Sequence, residues 1–191
     1  MRAVLGFALC GSFCTFEKAL EALRKLAAEY KVIPIMSENA AALDTRFGKA
    51  EDFISEITSV CACPPLTTLV QVEPIGPGNM LDALVVAPCT GNTLAKLAGG
   101  IADTSVTMAV KSQLRNGRPV VLAVSTNDGL AAAAVNIGTL LARKHIYFVP
   151  FGQDDPEGKP TSLVADMTLL PAAVKEALAG RQLQPLLLGP K

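Results

Sequence analysis

The sequence predicts an α/β protein, a single domain built on a doubly wound parallel sheet. Three observations lead there. Uninterrupted Val/Ile/Leu runs such as Leu84-Val85-Val86 indicate strands covered on both faces, which is how parallel sheets are packed. Those runs alternate with amphipathic helical stretches joined by short connections. The length, 191 residues, suits one domain with a sizeable core.

The first strand is Arg2–Leu9. Its apolar run passes directly into Gly11-Ser12 and an amphipathic helix with no small-x-small cleavage site, so it reads as a buried strand and not a secretory leader. Thr15–Tyr30 forms a helix with Phe16, Leu20, Leu23, Leu26 and Ala27 on one face. Val32–Met36 is the second strand. Phe47–Val60 is a helix that turns Phe53, Ile54 and Ile57 inward. Thr68–Val72 reads as the third strand, Ala83–Ala87 as the fourth and Val120–Val124 as the fifth. Thr93–Gly99, Ser105–Asn116 and Leu130–Arg143 are helical, and Ile146–Val149 is a last short strand. Pro150–Pro160 is a polar loop too long for a simple connector, which suits a lid or a contact surface. After a final helix at Ala172–Ala179 the domain, residues 1–180, gives way to a loosely held tail at 181–191.

Composition removes several classes of function. Lys plus Arg and Asp plus Glu both total 17, so no global basic field draws in nucleic acid or anionic lipid. Trp is absent and aromatics are sparse, which argues against a base-stacking platform. No stretch reaches the roughly 18 uninterrupted apolar residues of a membrane span. The five cysteines read as free thiols of a cytoplasmic protein. Cys61-Ala62-Cys63 carries metal-like spacing, but the single histidine, His145, is distant in sequence and a zinc site needs three or four ligands; no metal is expected. His145 follows Arg143-Lys144 at a predicted helix end, where it would complement the helix dipole.

Four segments fall where strands end, and in a doubly wound sheet those ends share one edge. In Gly11-Ser12-Phe13-Cys14-Thr15, Gly11 permits close backbone approach, Ser12 offers a hydroxyl and the helix start offers free N–H groups, a set that suits a phosphate. The spacing fits neither a dinucleotide Gly-rich loop nor Gly-x-x-x-x-Gly-Lys, so a mononucleotide is the better match. Ser37-Glu38-Asn39-Ala40 could add a second hydroxyl. Ala87-Pro88-Cys89-Thr90-Gly91-Asn92-Thr93 places hydroxyl and amide groups at a helix start, and Ser125-Thr126-Asn127-Asp128-Gly129 ends the fifth strand with four side chains able to hydrogen-bond. Each segment is also explained as a capped turn.

Together these residues resemble the FMN-binding cysteine-decarboxylase-like flavoproteins: Gly11-Ser12 followed by Lys18-Ala19, Ser37-x-x-Ala40, Pro88-x-Thr90-x-Asn92-Thr93, and Ile101-Ala102-Asp103. The resemblance covers roughly residues 2 to 166. It implies a flavodoxin-like (Rossmann-type) sheet that binds FMN at its carboxyl edge and a homo-oligomer, a trimer or a multiple of it. It also implies that Gly11, Ser12 and Ser37 hold the FMN phosphate. Pro88, Thr90, Asn92 and Thr93 would lie against flavin and phosphate, with Ser125 and Thr126 beside them. Asn127 falls where the decarboxylases address a substrate carboxylate.

Val124 and Thr126 replace the Pro and Met of the decarboxylase motif, and no His stands before the Ala83–Ala87 strand. That neighbourhood reads Val72-Glu73-Pro74-Ile75, so Glu73 is the candidate base if burial raises its pKa.

Leu114-Arg115-Asn116-Gly117-Arg118-Pro119, Ser125-Thr126-Asn127-Asp128-Gly129-Leu130 and Ile146 through Pro156 are similar to one branch of the family. That branch implies oxidation of a dihydropyridine dicarboxylate to the aromatic pyridine-2,6-dicarboxylate, in the mother cell of a sporulating bacterium, beside a partner subunit that binds NAD(P). Lys111, Arg115, Arg118 and Lys159 are the candidate cations for such a dianion. The alternatives are a flavin-dependent decarboxylase of a cysteine-derived substrate and a non-catalytic FMN-binding subunit.

Overall fold

The computed structural model describes residues 2–189. Met1 and the last two residues of the predicted tail, Pro190 and Lys191, lie outside the described residues. Five parallel strands form the centre: β1 (Val4–Leu9), β2 (Lys31–Met36), β3 (Ala83–Cys89), β4 (Val120–Thr126) and β5 (Ile146–Phe148). Their spatial order is β2-β1-β3-β4-β5, the doubly wound order in which the chain reverses direction beside β1 and β3. The register runs from Val4 opposite Lys31 to Leu9 opposite Met36, and from Leu5 opposite Ala83 to Ala8 opposite Val86. Every residue of β3 is buried, as its unbroken apolar sequence requires.

The helices are α1 (Phe16–Glu29), α2 (Glu38–Ala42), α3 (Ala50–Cys61), α4 (Leu69–Val72), α5 (Gly91–Ala98), α6 (Ser105–Arg115), α7 (Ala134–Leu141) and α8 (Leu170–Leu178). The apolar stripe of α1 buries Phe16, Leu20, Leu23 and Leu26. Phe16 stacks edge-on against Phe53 of α3, ring centroids 5.0 Å apart. Among the described residues no helix is long and apolar enough to cross a membrane.

The structure departs from the sequence reading in four places. Thr68–Val72 is helical, not a strand. Thr68 and Gln71 form a capping box, the Thr68 hydroxyl accepting from Gln71 N at 3.3 Å while Gln71 Oε1 accepts from Thr68 N at 3.1 Å. A strand-like bridge, from Leu66 to Ile35, falls just before that stretch. The predicted helix Leu130–Arg143 is only α7, because the Asp128 carbonyl gathers the N–H groups of Ala131 (2.9 Å) and Ala133 (3.1 Å) into a turn first. The long loop after β5 opens with β6 (Phe151–Gly152), which pairs antiparallel with β7 (Leu163–Ala165), and β7 pairs antiparallel with Ser125 and Thr126 of β4. One edge of β4 therefore serves two partners in succession, β5 along its first half and β7 at its tip.

The fourth departure is the tail, whose described part is docked. Gln182 Oε1 accepts from Phe148 N at 2.8 Å and Gln182 Nε2 donates to Phe148 O at 2.7 Å, standing in for a neighbouring strand. Phe151 N donates to Leu186 O at 3.0 Å, and Leu188 N to Phe151 O at 2.9 Å.

Candidate functional site

The loops that follow β1, β3 and β4 meet at the carboxyl edge of the sheet. Ser12 Oγ and Ser125 Oγ, 113 residues apart in sequence, lie 2.8 Å from each other. Thr15 Oγ1 donates to the Ser12 carbonyl at 2.9 Å and approaches Ser125 Oγ to 3.3 Å. A hydroxyl carries one proton. With the Thr15 proton on the Ser12 carbonyl, the Thr15–Ser125 contact takes the Ser125 proton and the Ser12–Ser125 bond takes the Ser12 proton, so the three hydroxyls form a closed chain whose oxygens a ligand would re-pair. Gly11 is exposed beside them. Ser37 is joined to the end of β1 by its N–H on the Leu9 carbonyl at 2.9 Å. Its oxygen caps α2 by accepting from Ala40 N at 3.2 Å, which leaves the hydroxyl proton free to donate.

The third loop is more deeply rooted. Pro88, buried in β3, has no N–H to give the ladder, and the register against β4 shifts between Val86 and Cys89. Thr90 caps α5, accepting from Thr93 N at 3.2 Å. Thr93 is buried and points down, donating to Cys10 Sγ at 3.2 Å, while its oxygen lies 3.0 Å from Thr90 Oγ1. With the Thr93 proton on sulfur, Thr90 supplies the proton between the two oxygens. Both hydroxyls thus hold the loop in place, and the exposed Asn92 is the side chain that faces outward.

Gly91 lets this loop close on the fourth. A Cβ there would stand 2.7 Å from Thr126 Oγ1 and 2.9 Å from Asp128 Oδ1. Thr126 donates to that same carboxylate oxygen. Asn127 is exposed, and its carbonyl accepts from the Thr161 hydroxyl at 2.7 Å.

The structure therefore groups Gly11, Ser12, Ser37, Pro88, Thr90, Asn92, Thr93, Ser125, Thr126 and Asn127 on one rim. Glu73 is not among them. It is exposed in a 3₁₀ turn, Glu73–Ile75, packed on α6. The chain after that turn is bound to the far end of α6 by Asn116 Nδ2 on the Gly76 carbonyl at 2.8 Å. His145 also lies elsewhere: it immediately precedes β5 at the amino end of the sheet, in a left-handed turn with φ 66°. Arg118 is engaged at that same end, by Asp82 at 2.6 Å and the Leu81 carbonyl at 3.1 Å. Two contributors were not singled out from sequence. Thr15 was legible only as a helix cap, and Thr161 carries no local signal, because its partner is 34 residues away.

Beneath the rim, burial pushes the Cys10 thiol up to about 11, partly offset by hydrogen bonds from Thr93 and Thr90, and it pushes the Cys89 thiol well above its ordinary range. A thiol that ionises less readily folded than unfolded stabilises the fold below its unfolded pKa, and that contribution is lost as pH rises towards the folded value. Between pH 9 and 11 the wild-type protein should lose about 2 kcal/mol through Cys10. Urea unfolding of Cys10→Ala at pH 8 and pH 11 should show a loss smaller by that amount; equal losses in the two proteins would contradict the assignment.

Known proteins share this fold. The family model described as Flavoprotein matches residues 2–161. The B subunit of dipicolinate synthase from Bacillus subtilis (strain 168) is 43% identical over 184 residues, which cover 96% of this chain and 92% of that protein. The crystal structure of the B subunit of dipicolinate synthase from Bacillus halodurans C superposes with a TM-score of 0.91 at 42% identity, covering 99% of this chain and 97% of that one. The FMN-dependent cysteine decarboxylase SpaF shares the fold at a TM-score of 0.65 and 23% identity, over 93% of this chain and 95% of that one. A parallel sheet in the order β2-β1-β3-β4-β5, hydroxyl-bearing loops joined at its carboxyl edge and a family match over most of its length lead to one conclusion: this chain belongs to the flavoprotein family.

Proposed function

We propose that this protein is the flavin-binding subunit of dipicolinate synthase, and that it binds FMN at the rim and takes part in oxidising dihydrodipicolinate to pyridine-2,6-dicarboxylate during sporulation. The observation that carries the reading is the end-to-end likeness to the B subunits, 43% identity over 96% of the chain. The donor set on the rim fits the cofactor. The hydroxyls of Ser12, Ser125 and Ser37 suit a phosphate, the outward amides of Asn92 and Asn127 suit a polar ring edge, and Gly91 lets the loops after β3 and β4 close on each other at the rim. When bound, FMN supplies a two-electron acceptor for a ring that becomes aromatic; orientation and charge are the protein's part.

The relatives' designation as B subunits supports a second chain, the A subunit of dipicolinate synthase, as the binder of NAD(P). A homo-oligomer and a site in the mother-cell cytoplasm follow from the same reading. The decarboxylase alternative is disfavoured by the position of the sole histidine, His145, at the opposite end of the sheet from the rim.

Reconstitution tests the proposal. FMN should bind to the purified chain at micromolar concentration, and product should form from dihydrodipicolinate when both subunits are present. A chain that takes up no flavin would sink the reading. A chain that binds flavin while the partner alone forms product at the full rate would leave only a non-catalytic FMN-binding subunit. Carbon dioxide release from a peptidyl-cysteine substrate would favour a decarboxylase. For Ser12→Ala we expect FMN affinity to fall about tenfold, the loss of one charge-assisted hydrogen bond, with riboflavin affinity unchanged. Equal losses for both ligands would mean that Ser12 does not address the phosphate.

A further inference from the structure

At the other end of the sheet the loop after α5, the lower half of α6 and the end of α7 line a half-open cavity of about 440 Å³. Its floor is apolar, built from Leu97, Val110 and Leu114 among others, and the charged side chains that line it are all cations, Lys111, Arg115 and Arg143. This is not the flavin rim. α6 starts beside the carboxyl edge, where Ser105 Oγ donates to the Met36 carbonyl at 2.6 Å, and it runs away from that edge towards Lys111 and Arg115. Ile146, also in the lining, opens β5.

The cations differ in what they already hold. Arg143 donates to the carbonyls of Leu97 at 3.0 Å and Ala98 at 2.7 Å. Those carbonyls end α5 and would otherwise repel an anion, so Arg143 neutralises that helix end. Lys111 and Arg115, one turn apart on the exposed side of α6, take no part in the ion pairs found among the described residues. Lys96, Arg118, Lys159 and Arg181 each have an acidic partner within 3.7 Å. A cavity of about 400 Å³ between α1 and the β6–β7 hairpin offers a contrast, since it mixes Lys18 and Lys25 with Glu21 and Asp154.

An apolar hollow with two unpaired cations at its mouth and no carboxylate in its lining complements a flat apolar body that carries two negative charges. Its volume is that of a small-molecule site. We propose that this cavity binds a small aromatic dicarboxylate, with its ring on the Leu97, Val110 and Leu114 floor and its carboxylates against Lys111 and Arg115. The choice of ligand rests on the function proposed above, which makes such a dianion the reaction product; the cavity would then sense product at a distance from the flavin.

The test is calorimetric titration of the FMN-loaded protein with pyridine-2,6-dicarboxylate, comparing wild type with Lys111→Glu/Arg115→Glu and with the milder Lys111→Gln/Arg115→Gln. If both the cavity site and the proposed function hold, wild type binds two equivalents, the glutamate pair binds one, and the glutamine pair weakens one site at least tenfold. If the cavity site holds and the oxidation reading fails, wild type binds one equivalent and the glutamate pair none. Unchanged stoichiometry and affinity in both variants would overturn the proposal, as would the absence of binding to wild type at millimolar ligand. Dissociation of a wild-type oligomer by the glutamate pair, with dicarboxylate binding intact, would overturn it too, since the face would then belong to an interface between copies.

Discussion

Gly91→Ala should weaken FMN binding by about ten- to a hundredfold, the cost of overpacking by one methyl group where two loops close on each other. The added carbon would stand 2.7 Å from Thr126 Oγ1 and 2.9 Å from Asp128 Oδ1, and both are short side chains with little room to swing away. Moving either breaks the hydrogen bond between them and disturbs the backbone that presents Asn127. Alanine is a better helix former than glycine, so α5 itself gains slightly. A net loss would therefore show that loop closure outweighs helix propensity. The measurement is flavin fluorescence quenching on titration with the apoprotein. The double variant Gly91→Ala/Thr126→Ala makes room for the methyl and should recover part of the affinity; no recovery would mean that the contact with Thr126 is not the cause.

Phe148→Ala should lower stability by about 3–5 kcal/mol, the usual cost of emptying a fully buried aromatic site. Phe148 is 0% exposed in β5 and sits 6.0 Å, centroid to centroid, from Phe151 of β6. Its backbone is held by the Gln182 side chain at both N–H and C=O, so a collapsed cavity would also loosen the docked tail. Denaturant unfolding measures the loss. FMN affinity should remain near wild type under conditions where the variant is folded, because none of the rim loops contains Phe148. A loss far smaller than this would mean that the Phe148 ring is not enclosed between β5 and β6.

The sheet was legible from sequence because its central strands are buried on both faces and carry unbroken runs of Val, Leu and Ala. β6 and β7 were not, since two and three residues leave no periodicity to read. Thr68–Val72 misled because its branched residues favour a strand, while a capping box spanning four residues decided for helix. At the site, the identity of the loops was readable and their mutual contacts were not. Ser12 and Ser125 each look like helix caps, and only the fold reveals that they bond to each other. Glu73 shows the same limit from the other side: the sequence puts a carboxylate near the right strand, and only the fold shows that it is exposed on a turn against α6.

The seam between the end of the chain and Phe151 has a bearing on solubility. A two-residue edge strand would offer its bare amide and carbonyl to any passing chain, and residues 186–188 occupy that position first. Residues 186–188 thereby close that border against a second chain, and a variant lacking them should show more aggregation by light scattering.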